Sequence, residues 1–158
     1  MTDHLPTGYT SLTPYLCVAG GALAVDFYVE VLGATVVARN DLPDGTVAHA
    51  ELQLPSGRFQ LSDAAPDHNL APPSGDDVVT HSYVHYTPDV DATYARAVAA
   101  GAKGYGEPET FVTGDRYATI LDPFGHRWAL MTRVEDVSPE EASRRVDEWL
   151  AEQEATPG

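Results

Sequence analysis

The 158 residues carry 24 acids against 9 bases, a formal charge of −15, which repels a phosphate backbone and excludes nucleic acid as a partner. With 43% hydrophobic and 21% charged residues, disorder throughout is excluded, and the length predicts a single domain over 1–158. The longest uncharged apolar-rich stretch, Leu16 to Val25, is too short for a bilayer, so no membrane partner is expected, and the lone Cys17 offers no internal disulfide or cysteine zinc site, which predicts a cytoplasmic protein.

In chain order, Leu12 to Val18 reads as a strand, and Gly20-Gly21 opens a helix with Ala24, Phe27, Tyr28 and Val31 on its buried face and Gly33 as its left-handed stop. Thr35 to Arg39 and Thr46 to Leu54 are strands separated by the turn Pro43-Asp44-Gly45, and Pro55-Ser56-Gly57 turns the chain into a strand over Arg58 to Ser62. Module one, 11–63, is therefore βαβββ. A loop rich in Pro, Ala and Asp follows, and its Asp63, Asp67, Asp76 and Asp77 predict a negative rim.

The order then repeats. Val78 to Tyr86 is a strand, Asp89 to Ala100 a helix stopped by Gly101, Lys103 to Gly106 a weak strand, Arg116 to Leu121 a stronger one, and Asp122-Pro123-Phe124-Gly125 turns into His126 to Arg133. This second βαβββ module spans 78–134. Gly33 and Gly101 lie 68 residues apart and Leu61 and Leu130 lie 69 apart, a register that predicts an internal duplication. Ser138-Pro139-Glu140-Glu141 is a capping box that starts a C-terminal helix over 138–153, with Ala142, Val146, Trp149 and Leu150 as its apolar stripe.

His49 and Glu51 are two apart on one strand and leave the same face, opposite Ala50, Leu52 and Leu54. Such a pair either acts as general base or cation holder, which makes the two the candidate catalytic residues, or forms a hydrogen-bonded lining. His81 and His85 share a face opposite Ser82, Val84 and Tyr86, so either they face the helix layer or a dimer contact, or a bulge has shifted the strand. His126, after a turn glycine, reads as structural. Asp115 and Arg116 form either an internal salt bridge or an anion clamp, and Arg127 caps the outside of the sheet. Tyr15, Tyr86, Tyr117, Phe111 and Trp128 are either stacking surfaces for a planar ligand or core.

Leu12-Thr13-Pro14-Tyr15-Leu16, Phe27-Tyr28 before Leu32-Gly33-Ala34, His49-Ala50-Glu51-Leu52, Gly114-Asp115-Arg116-Tyr117 and Asp122-Pro123-Phe124-Gly125-His126-Arg127-Trp128 together resemble the vicinal oxygen chelate superfamily. This is the group of glyoxalase I, bleomycin-resistance proteins and ring-cleaving dioxygenases, and the likeness is to its PhnB-like branch, over about residues 11 to 134. The resemblance implies an α+β fold of two βαβββ modules whose mixed sheets curve around a cup, commonly in a homodimer.

It also implies four metal positions, which fall here on Thr13, Gln60, Ser82 and Ala129. Only Gln60 keeps a residue type the family uses there, and two hydroxyls, an amide and a methyl lack the charge and donor strength a divalent ion needs. The expectation is therefore a binding protein without metal or other cofactor. It would sequester a partly aromatic, neutral or cationic small molecule, in the manner of drug resistance, on Thr13, Tyr15, His49, Glu51, Gln60, Ser82, Tyr117 and Trp128. The rival expectation is an isomerase, lyase or dioxygenase working through His49 and Glu51.

Overall fold

The computed structural model describes residues 4–155. Its first half runs β1 (Tyr15–Cys17), α1 (Gly21–Leu32), β2 (Thr35–Asp41), β3 (Val47–Gln53) and β4 (Arg58–Ser62), and a single 3-10 turn over Pro66–His68 leads out of it. The second half runs β5 (Tyr83–Tyr86), α2 (Val90–Ala99), β6 (Lys103–Gly104), β7 (Glu109–Thr110), β8 (Asp115–Leu121) and β9 (Arg127–Arg133), and α3 (Pro139–Ala155) closes the chain. The fold is α+β, with two mixed sheets of order β1-β4-β3-β2 and β5-β9-β8-β6, β7 pairing with β8.

The duplication is visible in hydrogen bonds. In module one the parallel pair sets Tyr15 against Gln60 and Leu16 against Leu61; in module two it sets Val84 against Ala129 and His85 against Leu130, each residue 69 positions further on. The helix starts repeat as well. Gly21 N–H donates to Asp63 at 2.9 Å and Val90 N–H donates to the Thr132 hydroxyl at 2.9 Å, both across 42 residues. A helix start leaves amides without intrahelical partners, and here each module meets that need from the residue just after or within its last strand.

Two expected strands are shorter than their apolar patterns. Thr13 precedes β1, because the Thr10 and Thr13 hydroxyls donate to the Leu12 and Thr10 carbonyls and fix a turn, and Pro14 has no amide to give. Residues 78–82 precede β5 because its parallel partner β9 begins only at Arg127, and pairing starts with Tyr83 opposite Trp128. The short β7 was not foreseen; two residues carry no periodicity to read.

One face of each sheet packs on its helix. Leu16, Ala50, Leu52, Phe59 and Leu61 of the first sheet join Ala118, Ile120, Trp128 and Leu130 of the second in a continuous core with Tyr28, Val31 and Ala97 of the helices. At the centre Tyr28 touches Phe59, Phe124 and Trp128, with ring centroids 5.4 to 6.1 Å apart. The other face of each sheet is open. α3 buries none of its residues and docks by its edge, through Trp149 on Phe111 and through Arg145 on Glu135 and the Val112 carbonyl. The capping box forms on one side only: Glu141 N–H donates to the Ser138 hydroxyl at 3.2 Å, while the Glu141 carboxylate is taken by Arg144 and Arg145. Those two guanidinium groups hold the Glu141 carboxyl down at about 2. No helix among the described residues is long and apolar enough to cross a membrane.

Candidate functional site

The open face of module one carries a row of polar side chains that strand alternation places there: His49, Glu51 and Gln53 from β3, Arg58 and Gln60 from β4, and Tyr15 from β1. His49 Nε2 lies 3.4 Å from Glu51 Oε1, and the Tyr15 and His49 rings are 6.0 Å apart. Tyr9, from the segment before β1, lies across this row. Its hydroxyl accepts from Gln60 Nε2 at 3.1 Å and donates to Glu51, and the Arg58 guanidinium sits 5.0 Å from its ring centre. The Tyr9 hydroxyl first, then His49 and Arg58, hold the Glu51 carboxyl below the usual carboxylate range. Tyr9, Thr13, Glu51, Arg58 and Gln60 line a hollow of about 540 Å³, a size suited to a small organic molecule.

Thr13, Tyr15, His49, Glu51 and Gln60 are thus brought together, and Tyr9 and Arg58 join them unforeseen. Arg58 alternates with Gln60 on β4, so its face was readable from the sequence. Tyr9 lies in a segment without periodicity, and no local signal places it.

The remaining candidates lie elsewhere. Ser82 and Tyr117 belong to module two, where Ser82 accepts from Arg127 and Tyr117 donates to Glu109. Trp128 corrects the expectation that it lines the ligand face: it is 4% exposed, sits in the shared core and donates from Nε1 to Asp122 at 2.8 Å. It does form part of the wall of a separate hollow between the modules, with Phe59 and His85. Asp115 and Arg116 each form an internal salt bridge, Asp115 with Arg133 at 2.9 Å and Arg116 with Asp91 at 2.6 Å, the first of the two readings. The negative rim is also reduced. Asp63 turns inward to three backbone amides, and Asp77 is paired with Lys103.

The four positions implied as metal ligands are poor in donor atoms. Thr13 and Ser82 offer only neutral hydroxyls, and that of Ser82 already accepts from the Arg127 guanidinium; Gln60 offers one amide oxygen, and Ala129 has no ligating atom. These residues do not fit a divalent ion. Among the described residues no group of three or more His, Cys, Asp or Glu side chains gathers into a metal-binding set.

His85 of β5 and His81, two residues before it, face inward, the first of the readings left open. His126 Nε2 donates to the Cys17 carbonyl at 2.8 Å and its Nδ1 is 3.1 Å from His81 Nε2, a joint between the modules. Burial, and for His81 also the charge of His126, lowers both the His81 and His85 values from the ordinary histidine range, while Asp122 pulls His81 the other way. The native state therefore takes up these protons less readily than the unfolded chain. Stability is expected to fall as pH drops below about 6.5, before the carboxylates titrate. Urea unfolding at pH 7.5 and 5.5 measures the drop, and His85→Gln should reduce it. An unchanged drop in that variant would remove His85 from the account.

The sequence matches the family model of the Glyoxalase/Bleomycin resistance protein/Dioxygenase superfamily over residues 10–130. The chain belongs to this superfamily. An uncharacterized protein of Mycobacterium tuberculosis, Rv0887c, is 37% identical over 137 residues, covering 83% of this chain and 79% of the relative. A similar fold is found in TioX from Micromonospora sp. ML1, with 23% identity, TM-score 0.60 and coverage of 78% of this chain and 98% of the other. The PhnB protein from Bacillus cereus gives 17% identity and TM-score 0.58, covering 78% and 99%.

Proposed function

We propose that this superfamily member binds a small, partly aromatic, neutral or cationic molecule on the open face of module one, without a metal, and sequesters it in the manner of drug resistance, as a cytoplasmic homodimer. The observation that carries the reading is the juxtaposition of a lined hollow of about 540 Å³ with four inherited metal positions of which only Gln60 keeps a ligating side chain of the family's kind. Tyr9, Tyr15 and His49 supply flat surfaces, and Glu51 supplies an acceptor kept ionised. With Asp63 and Asp77 engaged elsewhere, Glu51 rather than the acidic loop would select a cationic group. A second copy would cover the β5 edge of module two, where Val84 is 59% and Tyr86 55% exposed.

Isothermal titration with a panel of neutral and basic aromatic antibiotics tests this, with at least one compound expected to bind and Glu51→Gln expected to weaken it at least tenfold. Binding by no member of a broad panel would defeat the proposal. The 3.4 Å contact between His49 and an ionised Glu51 favours one alternative, an isomerase, lyase or dioxygenase in which this pair moves a proton. One divalent ion held per chain after purification without added metal would decide for the enzyme.

A further inference from the structure

Seven of the chain's nine basic side chains are paired with a carboxylate: Arg39, Arg58, Lys103, Arg116, Arg133, Arg144 and Arg145. Arg96, exposed on α2, donates hydrogen bonds to the Val31 carbonyl and the Thr93 hydroxyl and has no carboxylate. Arg127 likewise has no carboxylate, but it stands on the strand face away from the helices. In a chain of charge −15 its guanidinium is held by two neutral oxygens, the hydroxyls of Ser82 and Thr119, on the open face of module two. Hydroxyls orient a guanidinium but leave its charge uncompensated, and a half-buried cation gains most from an anion that can take two parallel N–H bonds.

The surroundings define that anion's shape. Arg127 lines a hollow of about 500 Å³ with Tyr105, Tyr117, Thr119, Val79 and the Asp77 carboxylate. Two carboxylates stand nearby, and each is already engaged: Asp77 with Lys103, whose ammonium lies 5.4 Å from the Tyr105 ring centre, and Glu109 with the Tyr117 hydroxyl. Neither reaches Arg127. The hollow thus offers two aromatic walls and a fork of donors.

We infer that this hollow is a second binding site, distinct from the module-one row, for a small aromatic carboxylate whose ring packs on Tyr105 and Tyr117 and whose carboxylate takes the free edge of Arg127. Ring and charge are both required: the walls reward a flat apolar body, and the fork rewards a planar anion.

Three probes of one shape test it on the full chain: benzoate, benzamide and benzamidine, followed by amide chemical shifts in 15N-labelled protein. Benzoate is expected to saturate with Kd about 1 mM, in line with so small a ligand, and to move the amides of Val79, Thr119 and Arg127. Benzamide should bind at least tenfold more weakly at the same amides. Arg127→Gln should lose benzoate at least tenfold, and Arg127→Lys should fall between. Equal binding of benzoate and benzamide, absence of benzoate binding, or shifts confined to His49, Glu51 and Gln60 would each overturn the inference. So would Arg127→Gln dissociating a dimer while benzoate leaves the wild type unmoved, since a second copy would then supply the anion. Should Arg127→Gln fail to fold, the comparison of the three probes on the wild type still decides. The module-one proposal is read separately, from its own ligands and the Glu51→Gln variant.

Discussion

Replacing Asp122 by alanine is expected to cost about 4 kcal/mol of folding free energy, a large share of the ~5–15 kcal/mol of an ordinary domain. Asp122 is 3% exposed and accepts four hydrogen bonds: Tyr28 Oη at 2.6 Å, Trp128 Nε1 at 2.8 Å, and the Phe124 and His126 amides at 2.9 Å. The truncation leaves these four donors facing an apolar cavity, and an unsatisfied buried donor loses its hydration without recompense. Two of them come from the aromatic centre where α1 meets the second sheet, so the damage falls on the contact between modules. The same carboxylate, after burial itself, raises the Tyr28 hydroxyl well above the ordinary phenol range, so that group stays a donor at any working pH. Tyr28→Phe removes one donor of four and should cost only about 1–2 kcal/mol. Urea denaturation followed by tryptophan fluorescence reads both variants. A loss under about 1 kcal/mol for Asp122→Ala would mean the carboxylate is not the keystone described here.

Asp63→Ala is expected to cost about 2–3 kcal/mol. Oδ1 accepts from Gly20 and Gly21 at 2.8 and 2.9 Å, and Oδ2 accepts from Val47 at 2.8 Å, so one side chain ties the start of α1 to the start of β3. The N-cap itself is Gly20, in the left-handed region at φ 98°, with no side chain to cap its helix. Asp63 supplies from 43 residues away what a serine or aspartate normally supplies in place, and its charge also suits the positive end of the helix. The site is closed to bulk: a Cβ on Gly21 would meet Asp63 Oδ2 and Val47 Cβ, both at 2.7 Å, so Gly21→Ala should also destabilise. Hydrogen exchange at Gly20, Gly21 and Val47 provides the reading that distinguishes this account, since Asp63→Ala should speed all three amides together. In module two the matching bond is a single one from Val90 to Thr132, and Thr132→Ala should cost about 1 kcal/mol.

Much of the candidate site was legible because strand alternation is local. His49, Glu51 and Gln60 share the open face as their spacing requires, and Ser82, Val84 and Tyr86 share the open face of module two. Trp128 illustrates the limit of reading by residue type. The alternation that puts Ala129 on the open face puts Trp128 on the other, and burial of its ring with one bond for its indole N–H suits the core better than a wet cup. Asp63 belonged, by composition, to an acidic loop, and only its three amide partners reveal a structural role.

The sequence by itself determined the order of elements, the 69-residue duplication, the faces of the strands and the poverty of the inherited metal positions. These follow from periodicity, turn chemistry and side-chain identity, all of which act over a few residues. The tertiary structure alone decided that Tyr9 lies over Glu51, that Tyr28 meets Asp122 across 94 residues, and that Arg127 is left with only hydroxyls. Each is a partner choice between distant segments, settled by which groups the packed helix layer leaves within hydrogen-bond reach, and no local pattern encodes that distance.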